Sequence, residues 1–202
     1  AKTCAIQFID VGIAEENAAV MAASMAHAGL LPVLFCYATF LQRAYDEILH
    51  DIARSKEHVI ICVDHAGVVS NDGDTHQGIF DLAYFNSIPH LTILSPKDGS
   101  EAISMLDYAI NEVKTPVIIR YSKEKIAKDV VKYQYLPKWM MEGEGSTVVI
   151  TYGILYQETK KYIKEHDLKV AIVNASILSN LDEELLIKLA TDEKKLIVYE
   201  EV

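Results

Sequence analysis

The run Asn71-Asp72-Gly73-Asp74-Thr75-His76-Gln77-Gly78 gathers an imidazole and two carboxylates into one polar, glycine-punctuated stretch. These are titratable groups of the kind that exchange protons and hold polar ligands. Upstream, Val59-Ile60-Ile61-Cys62-Val63 reads as a buried strand, and downstream Ile79-Phe80-Asp81-Leu82-Ala83-Tyr84-Phe85 reads as a helix. A loop leaving the carboxyl end of a buried parallel strand is where α/β proteins seat ligands, so chemistry is expected here. The plainer reading leaves Asp72-Gly73 and Asp74 as turn formers, Thr75 as a helix N-cap and His76 as a loop histidine without a role.

Two further segments carry candidate groups. Glu15 and Glu16 open a helix after Asp10-Val11-Gly12-Ile13-Ala14. There they either complement the helix dipole, typically by ~0.3–1 kcal/mol, or present a carboxylate to a ligand nitrogen. Tyr37-Ala38-Thr39-Phe40-Leu41-Gln42-Arg43 leaves another buried strand and enters a helix. Phe40 is then a core residue or a platform for a planar ring. Arg43 is a surface charge or an anion anchor whose fork suits phosphate.

Several chemistries are excluded. The acidic spacing and the missing terminal Glu rule out an EF-hand. There is neither an HExxH metalloprotease motif nor a GxSxG nucleophile elbow. No Cys or His pair has zinc-ligand spacing, so no metal ligand is assigned. Cys4, Cys36 and Cys62 are an odd number, and Cys36 and Cys62 fall in predicted strands, as expected of buried thiols in a reducing cytosol. A net charge of −10 argues against a nucleic-acid surface. No apolar run approaches bilayer length and no signal peptide opens the chain, so a soluble, cytoplasmic protein without membrane contact is expected. The chain starts at Ala1 and stops just after strand-like Leu196-Ile197-Val198-Tyr199, which reads as a piece of a longer protein.

The elements that must position these groups alternate. Helices are expected over Glu15 to Ala28, Leu41 to Arg54, Gly99 to Asn111, Tyr156 to Glu165 and Asp182 to Ala190. Strands are expected over Val33 to Cys36, Val59 to Val63, Leu91 to Leu94, Val117 to Ile119, Thr147 to Thr151, Val170 to Val173 and Leu196 to Tyr199. The strands are short, rich in Val and Ile and not alternating, as in parallel sheets covered on both faces. Between Ser122 and Gly145 the rhythm breaks. The expectation is therefore an α/β unit over 1–121, a linker over 122–145 and a second, incomplete α/β unit over 146–202, from a chain long enough to bury a real core.

Three blocks together resemble one family, 1-deoxy-D-xylulose-5-phosphate synthase of the transketolase group. They are Phe8-Ile9-Asp10-Val11-Gly12-Ile13-Ala14-Glu15, then Tyr37 through Asp46, then Val63-Asp64-His65-Ala66-Gly67 with Asp72 through Leu82. A weaker echo runs from Ser179 to Leu186, so the likeness covers nearly the whole chain in order. The resemblance implies a parallel-sheet pyrimidine-binding domain followed by a truncated α/β transketolase C-terminal domain. It implies thiamine diphosphate and magnesium as cofactors, and pyruvate and glyceraldehyde 3-phosphate as substrates in isoprenoid and thiamine precursor synthesis. It also implies a homodimer. By the resemblance, Glu15 hydrogen-bonds the cofactor's aminopyrimidine and Phe40 stacks on it. Tyr37 and Arg43 hold the acceptor phosphate, while Asp72 and His76 stand near the reacting carbons as catalytic groups, His76 for proton transfer and alkoxide stabilisation.

The chain departs from the family at three points. His65 stands where the family has arginine, Lys123 where it has the phosphate-binding arginine, and Asn17 where it has histidine. His65 and Lys123 are accordingly substrate-binding positions with weakened anion geometry, which bears on acceptor identity. The Gly-Asp-Gly motif that holds magnesium and diphosphate in the family has no match here. The chain alone is therefore expected to be inactive and to need an N-terminal diphosphate-binding domain. The alternatives are a separate half-subunit of a split transketolase-like enzyme and a diverged non-catalytic paralogue.

Overall fold

Runs of Val and Ile with no polar alternation are stable only between two covering layers, and the central strands of this chain lie so. The computed structural model describes residues 7–69, 72–125 and 129–201; Cys4 and Asn71 lie outside them. The first sheet contains β1 (Val33–Tyr37), β2 (Ile60–Asp64), β3 (Thr92–Leu94) and β4 (Val117–Arg120) in the order β1-β2-β4-β3. All three pairings are parallel, with Tyr37 opposite Asp64 where β1 and β2 end. Around the sheet lie α1 (Glu15–His27), a helical run α2 over 38–53, α3 (Asp81–Phe85) and α4 (Gly99–Asn111).

The second sheet contains β5 (Met140–Glu142), β6 (Thr147–Thr151), β7 (Val170–Asn174) and β8 (Lys195–Val198), ordered β5-β7-β6-β8. Its helices are α5 (Ile154–Glu165) and α6 (Glu183–Thr191). The stretch 122–145, read as a linker, contributes β5, which runs antiparallel to β7. It is pinned further by Trp139, whose Nε1 donates to the Ile177 carbonyl at 2.9 Å, and by Tyr135, whose hydroxyl lies 2.9 Å from that of Ser176. A strand this short has no hydrophobic alternation to announce it.

Two strands differ from the expectation of full cover. Exposure alternates along β1, where Phe35 is 67 % exposed, and β8 is exposed throughout. Both are edge strands, and an edge lacks a neighbour on one side. β2 and β4 are central and buried.

One buried cluster runs from Leu41, Ile48 and Ile52 of α2 through Ile61, Val63, Ile93 and Ile118 to Val148 and Val173 of the second sheet. Each fully buried side chain of this kind contributes about 1.5–3 kcal/mol. Two buried polar contacts add directionality. Arg120 at the end of β4 donates from Nε and Nη2 to Asp81 at 2.8 and 3.1 Å, fixing where α3 begins. Glu101 accepts from Asn174 Nδ2 at 2.9 Å and from Lys97 Nζ at 2.8 Å, joining α4 to β7.

Candidate active site

Each candidate group sits where a strand ends or a helix begins. Asp10 shapes the entry to α1 by accepting from the Gly12 amide at 2.9 Å, and Gly12 takes φ +66°, a conformation that suits glycine. Glu15 follows as the first residue of α1. At the end of β1 the backbone of Tyr37 is still extended, and α2 starts at once with Ala38, so Phe40 and Arg43 project from its first turns.

The side chains then meet in sequence. Arg43 Nη1 donates to both oxygens of Glu15 at 3.2 Å. Its guanidinium lies 5.3 Å from the centre of the Phe40 ring. The His76 ring meets Phe40 edge-on at 5.4 Å, and Tyr37 stacks on Phe40 at 5.8 Å. On its other side Tyr37 stacks on His65 at 3.9 Å. His65 Nε2 faces Asp72 Oδ2 at 3.5 Å, and Lys123 Nζ donates to both Asp72 oxygens at 2.8 Å. Glu15, Tyr37, Phe40, Arg43, His65, Asp72, His76 and Lys123 thus form one unbroken chain of contacts.

Glu15, Tyr37, Phe40 and Arg43 line a cleft of about 390 Å³ together with Gly12 and Phe35. A partly buried carboxylate, its side chain 11 % exposed, beside an aromatic face suits a flat heterocycle with a ring nitrogen, so the residues present fit an aminopyrimidine. Cys36 also lines the cleft, but burial, and then the Glu15 charge, push its thiol up to about 11, so it is no nucleophile at neutral pH. The hydrogen bond from Lys123 holds the Asp72 carboxyl below its usual range, helped by the charges of Lys123, His65 and His76 and opposed by desolvation.

His65 is held under constraint. Its backbone adopts φ +58° and its side chain is buried. Asp64 Oδ1 lies 3.1 Å from Nδ1 but does not make a hydrogen bond with it, and Nδ1 has no partner among the described residues. A non-glycine residue in this region is a mark of local strain, which clusters at functional sites.

The loop itself is closed by contacts that residue types alone did not point to. Gly67 and Gly78 exchange both backbone hydrogen bonds, at 2.8 and 2.9 Å. A Cβ at Gly78 would lie 2.2 Å from the His65 carbonyl oxygen and 2.7 Å from Ala38 Cβ, so only glycine fits. Gln77 braces the loop from within: Oε1 accepts from the Val69 amide at 2.7 Å, and Nε2 donates to the carbonyls of Val69 and Gly73 at 3.0 and 3.2 Å. The paired glycines flanking the polar run were the available signal for this closure.

The family profile described as "Transketolase, pyrimidine binding domain" matches residues 2–128, the span that holds every group of this site. The chain belongs to that family. Among curated relatives of this transketolase-family chain, the 1-deoxy-D-xylulose-5-phosphate synthase of Clostridium tetani is 38% identical over 201 residues. That of Lachnoclostridium phytofermentans is 41% identical over 206 residues. Both matches cover 96% of this chain but 32% of the relative, so the chain spans about a third of their length. Among solved structures, a split-gene transketolase described as an inactive β4 tetramer superposes with a TM-score of 0.85 at 26% identity, covering 99% of this chain and 67% of that one. A transketolase variant from Pichia stipitis shares the fold, with a TM-score of 0.69 at 18% identity over 83% of this chain and 26% of that one.

Among the described residues no group of three or more His, Cys, Asp or Glu is disposed to hold a metal, and no helix is long and apolar enough to cross a membrane.

Proposed function

We propose that this chain forms the pyrimidine-side wall of a 1-deoxy-D-xylulose-5-phosphate synthase, a thiamine-diphosphate-dependent transferase that joins pyruvate to glyceraldehyde 3-phosphate with loss of carbon dioxide. The observation that carries this reading is the continuous run of contacts from Glu15 to Lys123 around the carboxyl ends of β1 and β2. When bound, thiamine diphosphate supplies the electron sink that decarboxylation and carbon–carbon bond formation require.

The protein's part is binding, orientation and proton handling. Glu15 accepts a hydrogen bond from a pyrimidine nitrogen at a lone pair that Arg43 leaves open. Phe40 supports the ring face. His76, edge-on to Phe40, exchanges a proton with the reacting hydroxyl, and Asp72 orients the substrate beside it. Tyr37, Arg43, His65 and Lys123 receive the acceptor phosphate. Because Arg43 and Lys123 are each paired to a carboxylate, phosphate must compete with Glu15 and Asp72 for them.

On this proposal residues 1–121 are the pyrimidine-binding domain, 122–145 the connection and 146–202 the start of the C-terminal domain. The diphosphate and magnesium are held by protein outside these residues, in a cytoplasmic homodimer. A second reading, a half-subunit of a split transketolase, is supported by the coverage of the split-gene neighbour. Assay of the intact protein separates them. Carbon dioxide release from pyruvate that depends on glyceraldehyde 3-phosphate supports the synthase. Turnover of ketose phosphates alone assigns a transketolase. Cofactor binding without either reaction assigns a diverged, non-catalytic relative and overturns both.

A further inference from the structure

A second concavity, of about 440 Å³, lies at the opposite end of the first sheet from Glu15 and His76. Thr92 opens β3, and Thr115 lies just before β4, so the concavity sits at the amino ends of these strands. Lys56, Asn86, His90 and Thr92 line it with Thr115, and Ser179 and Asn180 enter from the loop after β7. Its walls therefore come from both sheets' units.

Its lining differs from that of the active-site cleft, which holds Glu15. The chain carries a net charge of −10, yet among the described residues no carboxylate lines this concavity. Neither Lys56 nor His90 forms an ion pair with a described carboxylate. Ser179 Oγ, on one of the lining residues, is buried with no hydrogen-bond partner among the described residues. The residues that line it thus bring one ammonium, one imidazole, two side-chain amides and three hydroxyls, with no carboxylate among the described residues beside them.

We propose that this concavity binds a small phosphate-bearing anion, separate from the active site. A planar carboxylate is best met by the bidentate fork of arginine, and none lines the concavity. A compact ammonium among residues that carry hydroxyl and amide donors suits a tetrahedral phosphate, whose oxygens point in several directions. Because Ser179 and Asn180 belong to the second unit, the anion also fastens that unit to the amino ends of β3 and β4.

The test is hydrogen-exchange mass spectrometry on the intact protein at fixed ionic strength, with inorganic phosphate and glycerol 3-phosphate as probes. Saturable protection is expected over residues 54–60, 86–92 and 178–181. Lys56→Gln is expected to weaken it at least about tenfold, as loss of a charge-assisted hydrogen bond does. Arg43→Gln is expected to leave it unchanged, so failure at the active site and failure here are told apart. Tighter binding of glycerol 3-phosphate identifies a phosphomonoester ligand, and tighter binding of inorganic phosphate identifies the free ion. Equal protection by chloride, or unaltered affinity in Lys56→Gln, overturns the proposal.

Discussion

Replacing Gly78 by alanine is the sharpest test of how the site loop is held. The added Cβ would meet the His65 carbonyl oxygen at 2.2 Å, Ala38 Cβ at 2.7 Å and Ala66 Cα at 3.0 Å. Two of these are backbone atoms, and Ala38 opens α2, so no flexible side chain can yield. The loop must move away by roughly an ångström to reach ordinary contact. That displacement stretches the two Gly67–Gly78 hydrogen bonds, each contributing about 1 kcal/mol, and overpacking adds about 1–3 kcal/mol. The expected loss is therefore about 3–5 kcal/mol, confined to the loop. Hydrogen exchange reads it directly: protection of peptides over 65–80 should fall by at least about 100-fold, while peptides of β2 and β4 keep theirs. Activity of the intact protein should fall by about 100-fold as well, because Asp72 and His76 move with the loop. Gly12→Ala is the control, since no described residue lies within 4 Å of its Cβ position and the strain of φ +66° remains, about 1–2 kcal/mol. Unchanged loop protection and activity in Gly78→Ala would refute the argument that close approach, not sequence accident, sets this glycine.

Other outcomes follow from the same geometry. Glu15→Gln should lower turnover of the intact protein by about 100-fold or more with its unfolding midpoint nearly kept, measured by steady-state kinetics and denaturation; equal turnover would remove Glu15 from the chemistry. Arg120→Met should cost about 3–5 kcal/mol by denaturant titration, because it leaves Asp81 charged and buried. Pairing it with Asp81→Leu should recover most of the loss, and failure to recover would mean that shape rather than charge dominates. The Asp72 carboxyl should titrate below its ordinary value by carbon-detected NMR, and Lys123→Met should return it upward. With a depressed folded pKa, the Asp72–Lys123 clasp is complete above the unfolded carboxylate value and is lost as pH falls through the folded one. Burial raises the Cys36 and Cys62 thiols to about 11 each, so mass spectrometry should find both slow to alkylate near neutral pH and fast only as pH approaches that value.

Much of this protein is legible in its residues. Unbroken Val and Ile runs separated by helical segments specify parallel α/β layers, because such runs are stable only when covered on both faces. The polar loop after β2 and the Phe40/Arg43 turn after β1 are legible for a related reason. Parallel strands send their carboxyl ends to one edge, so residues far apart in the chain are delivered to one place. Strand β5 was not legible, since a three-residue strand has no periodicity and forms only because β7 offers an open edge. Nor was the pairing of Arg120 with Asp81, which depends on how α3 packs against the end of β4 rather than on spacing along the chain.

The sequence by itself determined the fold class and the family. Tertiary structure decided how the groups at the site are engaged. Arg43 and Lys123, which the resemblance implies hold the acceptor phosphate, are each held by a carboxylate that only folding brings within 3.2 Å or less. The physical reason is that propensity and hydrophobic period act over neighbouring residues. The state of a charge is set instead by whichever opposite charge the completed fold places beside it.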